Sequence, residues 1–424
     1  MRIEQAEMHI LKLLLGTYIF SLAFFDKAVF FGYDSPYMYA GAICFFAILL
    51  FRRIEGILFP KAAFFWILFL ISLLLSSFSA ISYEKILSNS MLLLIAIMNS
   101  IIVYNLLRSY RESLTWALNF FLLLSFILSI LSILQFIEFN FFHTFNLYLP
   151  PTNQQFILSG GPGVVVGGLE IFRATGTFAE PSWLAFYLVP AFALSLNRYL
   201  NDGKSANLIL TSFIFIGLFC TLSFIGFIFL TIIILLLFLK KVLFPLSSFK
   251  LYISPTLRFA FLGIIMVLLL QLVSIYAPVT DSYINTRLNN VALAQDSSSE
   301  IRMNTANQAF ELLKQNPLFG IGAGNYQFAA KSFLGQRAKD VSIDSGYLLI
   351  MAEMGIIGLL AFCLVLWQSF HSILESISPL QNQLIWLLLT DALLLIVYNW
   401  WFHPLFWLHL TIPLAANDEN IWCS

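Results

Sequence analysis

The chain has 424 residues, 60% of them hydrophobic and 10% charged, with 22 basic residues balancing 22 acidic ones and a mean hydropathy of +0.88. A soluble domain carries about 25% charged side chains, so this composition excludes a soluble globular protein, and zero net charge gives no bulk attraction for nucleic acid. Four scattered cysteines without a CxxC pair, and five histidines without an i,i+4 pair or HExxH, exclude a disulfide framework and speak against a protein-built metal site.

A membrane helix needs about 20 mostly apolar residues. Twelve such runs are predicted, at 9–25, 37–51, 62–80, 86–106, 113–137, 183–197, 207–222, 224–239, 259–278, 346–368, 383–399 and 402–416. The first lacks a small-residue cleavage site before Asp26–Lys27 and reads as an uncleaved span. Between Lys204 and Lys240 there is no charge. One helix of that length would reach about 50 Å, against a hydrocarbon core of about 30 Å, so two helices with a tight turn near Ser223–Gly226 are expected. The fold class is therefore an all-α polytopic membrane protein with about 12 transmembrane helices, a single integral domain over 1–424.

Basic residues in short loops stay cytoplasmic. Arg2, Lys12, Arg52, Arg53, Lys61, Arg108, Arg111, Arg198, Lys204, Lys240, Lys241, Lys250 and Arg258 fall at alternate connections, which predicts both termini in the cytoplasm. The opposite short loops hold only Lys27 and Lys85. Two long loops, 138–182 and 279–345, then face outward, and they carry the other cations: Arg173, Arg287, Arg302, Lys314, Lys331, Arg337 and Lys339.

The Gly/Pro content of the first loop forbids a long helix, and its phenylalanines suit a membrane interface. Arg173 and Glu180 flank the turn ATGTF, either as a salt-bridged loop end or as an anion site in which Glu180 orients Arg173. In the second loop Ser298–Ser299–Glu300 caps a predicted amphipathic helix from Ile301 to Lys314. Ala306, Ala309, Phe310 and Leu313 form its apolar stripe, and Arg302 heads the same face. Asn316–Pro317 stops the helix. Gly320–Gly324 (GIGAG) lacks the strand-to-helix context of a nucleotide loop and reads as a tight turn. Arginine forks bind phosphate oxygens in pairs, so a phosphate or diphosphate at the membrane surface is the partner these cations fit. Asp344 precedes an apolar helix, either as part of an N-cap with Ser345 or as a general base at the lip of a cavity. Glu353, about two turns along that helix, is an acid inside an apolar run, where it supports an arginine or acts directly.

Taken together, NPLFGIGAGNY (Asn316–Tyr326), EIR (Glu300–Arg302), FRATGTFAEPSWLAFYL and DSGYLLIMAEMGIIGLL resemble the O-antigen polymerase and O-antigen ligase superfamily, over about 160–370 by motif. The resemblance implies a GT-C-like membrane glycosyltransferase of the bacterial inner membrane, with no cofactor and no metal, acting on its periplasmic face. Its substrate would be an undecaprenyl-diphosphate-linked oligosaccharide in the lipid bilayer, its reaction inverting, and its companions a chain-length regulator and a flippase. Arg302 matches the superfamily arginine ahead of NPLFG and Arg173 the one in R-x-x-G-T-F; Arg287 matches less closely. These three are expected to hold the diphosphate, with Glu180 and Glu353 supporting and Asp344 as catalytic base. Ligases usually enter the helix with His-Asn-x-x-Leu, where this chain has Asp344–Ser345–Gly346–Tyr347–Leu348, and often carry Ser-Arg where it has Ser223–Phe224. Both departures favour a repeat-unit polymerase over a ligase that delivers glycan to lipid A-core. A transporter or flippase is the alternative of another class, although the cations crowd the loops and not the mid-membrane.

Overall fold

The computed structural model describes residues 2–24, 41, 43–44, 58–108, 112–142, 147, 163–166, 169–178, 180–243, 297–334, 343–376, 380–399 and 401–417. Its helices in chain order are α1 (Arg2–Leu22), α2 (Ala63–Leu75), α3 (Tyr83–Arg108), α4 (Ser113–Ile137), α5 (Pro181–Asp202), α6 (Ser205–Cys220), α7 (Phe224–Leu243), α8 (Ser297–Gln315), α9 (Tyr326–Leu334), α10 (Gly346–Glu375), α11 (Gln381–Leu394) and α12 (Pro404–Asn417). A 3-10 turn (Ser76–Ser79) extends α2 and a π-turn (Glu138–Phe142) ends α4. The described strands form one antiparallel hairpin, Gly163–Val166 with Leu169–Phe172, inside the first long loop. By length and apolar composition α3, α4 with its π-turn, and α10 can each cross a membrane; α1, α2, α6 and α7 supply shorter apolar helices. The expected run at 259–278, most of the run at 37–51, and Arg287 lie outside the described residues.

The charge-free stretch after Lys204 is two helices, as its length requires. Leu222, with φ 44°, turns the chain between α6 and α7, and the Ser223 hydroxyl accepts the Gly226 amide to cap α7 (3.3 Å).

The chain divides into two compact units, Met1–Ile127 with Ile301–Ser424, and Leu128–Glu300. In the first, aromatic rings join α2 to α10 and to the end of the protein. Phe69 packs on Phe362 (5.3 Å between centroids) and Trp401 (5.5 Å), and Trp66 on Trp407 (6.1 Å). In the second, α5 packs on α6 and α7, and Gly217 of α6 lies so close to Ser129 that a Cβ would overlap it.

α10 is not the single straight helix its sequence suggests. Gly355 has φ 68° and ψ −166°, a break inside the helix, and beyond it the chain folds back. Tyr347 and Phe362 have ring centroids 6.0 Å apart, whereas fifteen residues of straight helix would separate their Cα atoms by about 22 Å, more than two aromatic side chains can bridge. The first arm, 346–354, therefore lies against the second, 356–375, with Gly355 at the closed end. A broken helix strands amides and carbonyls that cost free energy if unpaired. The loop 317–322 replaces what is lost. The Ile356 and Ile357 amides donate to Pro317 O (2.9 Å) and Leu318 O (3.3 Å), while Ile321 and Gly322 donate to Ala352 O (3.1 Å) and Glu353 O (2.9 Å). The approach is backbone to backbone: a Cβ on Gly320 would overlap Glu353, and one on Gly355 would overlap Leu318.

Candidate functional site

In the first unit the NPLFGIGAGNY segment is the hub. Gly320, Gly322 and Gly324 all have positive φ, at 67°, 93° and 75°, which side-chain-bearing residues rarely adopt. The loop is tied to the α2–α3 turn as well as to α10. Ser79 donates its hydroxyl to Gly320 O, the Ala323 amide donates to Ser76 Oγ (3.0 Å), and the Asn325 side chain accepts from Ser82 N (2.6 Å) and donates to Ser82 O (3.2 Å).

Glu353 is 3% exposed. Its Oε2 accepts the Gly324 amide (2.8 Å) and its Oε1 the Tyr326 amide (3.1 Å) at the start of α9, where the helix dipole favours negative charge. The support it gives is thus to the backbone of this loop. Glu353 lies about two turns along the first arm from Asp344, next to the closed end at Gly355.

The helix cap falls to Ser345 and not to Asp344: the Ser345 hydroxyl accepts the Leu348 amide (3.4 Å). Asp344, half-buried, precedes it. The entry of α10 rests on the α11–α12 connection, where the Gly346 amide donates to Leu395 O (2.9 Å) and Tyr398 O (3.1 Å), and the Tyr347 hydroxyl donates to Ala392 O (3.0 Å). Tyr326 is close enough to feel the charge of Asp344. Burial first, and that carboxylate second, push its hydroxyl up to about 12, so it stays a proton donor, and it donates to Gln308 of α8 (2.7 Å).

α8 covers this hub, with a face turned by about one residue from the expected stripe. Thr305, Ala309 and Leu312 are buried, and Phe310 is exposed. The reason is its partner: Ala309 and Leu312 enter one apolar cluster with Ile321, Tyr326, Ala329, Ile343 and Leu349, which the chain outside the helix supplies. Arg302 lies in α8, one turn before Thr305 and Ala306. Lys314 pairs with Glu311 on the exposed side (2.7 Å). The sequence also gave no weight to Lys85, whose Cβ, with the Asn89 amide, stands against Gly324; only the fold brings α3 to the loop.

In the second unit the turn ATGTF is gripped by Gln135, fully buried in α4. Its Oε1 accepts the amides of Thr175 (3.1 Å) and Gly176 (2.7 Å), and its Nε2 donates to Gly176 O (2.9 Å) and Leu147 O (3.1 Å). Arg173 donates Nε to Thr221 O (3.0 Å), and the Ala174 amide donates to Cys220 O (3.0 Å), which sets the guanidinium at the α6–α7 turn. Glu180 is the backbone N-cap of α5, ahead of Pro181, and accepts the Ser182 hydroxyl (3.0 Å). Arg173 and Glu180 thus share this unit, while Arg302, Asp344 and Glu353 share the other. No group of three His, Cys, Asp or Glu side chains suited to a metal ion occurs among the described residues.

Residues 206–363 match a family model described as O-Antigen ligase. No curated protein matches the chain. The matched segment contains Arg302, the glycine loop, Asp344 and Glu353, and begins after Arg173 and Glu180. Over this segment, less than half of its length, the chain is similar to the O-antigen ligase family, and its long apolar helices are those of a membrane-embedded protein.

Proposed function

We propose that the chain is a polysaccharide repeat-unit polymerase, an inverting, metal-independent glycosyltransferase that moves a growing glycan from undecaprenyl diphosphate onto a lipid-linked acceptor repeat. The observation that carries this reading is the position of Asp344. It sits beside the capped entry of α10, near Tyr326, on a helix arm that the glycine loop holds by its backbone. A half-buried carboxylate held by rigid surroundings suits a general base.

In the proposed step Asp344 takes the proton of an acceptor sugar hydroxyl. The oxygen forms a bond to the donor's anomeric carbon from the face opposite the diphosphate, and the carbon–oxygen bond to the diphosphate breaks with its electron pair leaving on the phosphate. Arg173, Arg302 and Arg287 neutralise that departing charge. Glu180 positions the Arg173 segment, and Glu353 positions the loop. The setting is a twelve-span protein with both termini cytoplasmic and the loops 138–182 and 279–345 on the periplasmic face of the inner membrane, working beside a flippase and a chain-length regulator.

Replacing Asp344 by Asn is the test. Single lipid-linked repeats should accumulate while the protein still inserts, and long glycan persisting in that strain refutes the assignment. Arg302→Lys keeps the charge and loses the fork; polymerisation should fall by roughly the tenfold or more that one charged hydrogen bond is worth.

One observation favours the ligase reading. Arg173 reaches the α6–α7 turn at Thr221, beside Ser223–Phe224, where ligases often carry Ser-Arg. A cation absent from the sequence position is thereby supplied in space. Products separate the two: loss of a ligase leaves long glycan on its carrier lipid, loss of a polymerase leaves single repeats.

A further inference from the structure

Tyr326, the last residue of the NPLFGIGAGNY segment and the first of α9, joins three parts of the first unit. Its amide donates to Glu353 Oε1 (3.1 Å). Its ring, in a residue 2% exposed, shares one apolar cluster with Leu349 and Ala352 of the first arm of α10, with Ile343 next to Asp344, and with Ala309 and Leu312 of α8. Its hydroxyl donates to Oε1 of Gln308, half-buried in α8 (2.7 Å), and it is near enough to Asp344 to feel that charge. Apolar packing is non-directional, so the contact of Ala309 and Leu312 with the cluster does not by itself fix how α8 is turned about its axis. A hydrogen bond does, because it weakens steeply as its geometry departs from linear. At about 100° per residue, positions 302 and 308 fall on opposite edges of the buried stripe Thr305, Ala309 and Leu312. Holding one edge at Gln308 therefore sets where the other edge, with Arg302, stands.

We infer that Tyr326 and Gln308 are positioning residues, a strut that fixes the rotation of α8, and so the place of Arg302, relative to the arm that carries Asp344. The inference rests on the polymerase reading and deepens it. In that reading the base and a diphosphate cation stand on separate elements, the entry of α10 and α8, yet one transition state has to meet both. An error of about 1 Å in such a constellation can cost about a hundredfold in rate. The guanidinium fork has to meet two phosphate oxygens together, so it depends on the rotation of its helix. A lysine ammonium, a point charge on a flexible stem, depends on it far less.

The test uses the full chain reconstituted in liposomes, with the lipid-linked repeat purified from cells that lack the chain as both donor and acceptor, and reads the rate of chain extension per folded protein. Tyr326→Phe removes one oxygen and should slow extension about tenfold, part of what a misplaced group can cost. Gln308→Met keeps the length of the side chain at a half-buried position and removes the acceptor, so it should slow extension equally. The two together should be slower than either alone by less than about twofold, since both break one bond. In an Arg302→Lys background Tyr326→Phe should cost less than about threefold, because the fork that the strut aims is gone. A side chain that only stabilises the fold would cost the same factor in both backgrounds. Tyr326→Phe or Gln308→Met within about twofold of the wild type, or a loss of about tenfold that persists beside Arg302→Lys, overturns the strut. An Arg302→Lys chain as fast as the wild type overturns the role of Arg302 and the strut with it. A wild type that extends no repeats overturns the polymerase reading instead.

Discussion

Glu353 has both carboxylate oxygens on backbone amides, so its replacement strands buried donors. Glu353→Gln keeps one acceptor and turns an NH2 toward the other amide; we expect a loss of about 1–3 kcal/mol, the cost of an unsatisfied buried group. Thermal unfolding in detergent measures it, and an unchanged midpoint would show the carboxylate to be dispensable. The glycines at the break are less forgiving. Gly355→Ala demands a φ of 68° from a residue with a Cβ and drives that Cβ into Leu318, a conformation that alone costs about 1–3 kcal/mol. The expected outcome is a chain that inserts poorly, and normal accumulation of Gly355→Ala would contradict the interlocked backbones. An acid in an apolar run and a glycine-rich string were both visible in the sequence. Their meeting was not, because it depends on hydrogen bonds between segments thirty residues apart that no periodicity encodes.

At the scale of elements, α11 and α12 are joined by Asp391 and His409, each with no exposed side-chain surface and 2.7 Å apart. Burying two ionisable groups is expensive, and such a pair is often replaceable by apolar residues of similar volume at no net cost, whereas removing one partner costs about 3–5 kcal/mol. Asp391→Leu and His409→Phe alone should each lower the unfolding midpoint in detergent, and the double variant should recover most of it. Losses that simply add would argue against coupling. α8 offers a second contrast. Leu312 is 2% exposed and Phe310 48%, so Leu312→Ala should cost about 2–5 kcal/mol and Phe310→Ala within about 0.5 kcal/mol, by the same unfolding measurement. The sequence periodicity placed a helix here and an apolar face on it, but it weighed Phe310 by its hydrophobicity. The face was settled by what docks on it: the small side chain of Ala309 admits the Tyr326 cluster closely.

For the whole molecule, the few charges determine how the chain sits in a bilayer, since each cation left in short loops resists translocation. In a cysteine-free background a cysteine at exposed Met303 should react with an impermeant thiol reagent in intact spheroplasts, and one at Lys204 only after permeabilisation. The reverse pattern would invert the orientation. The sequence by itself determined that this is a helical membrane protein, and its motifs gave a resemblance to the O-antigen polymerase and ligase superfamily. Composition and run length suffice for that, because a bilayer tolerates only backbones that satisfy their own hydrogen bonds. Tertiary structure alone decided that α10 folds back at Gly355, that the glycine loop mends the broken ladder, and that Gly346 at the entry of α10 is held by the carbonyls of Leu395 and Tyr398. A helix-breaking glycine can kink, bulge or reverse a helix, and which it does depends on the partner that arrives to take up the freed amides and carbonyls.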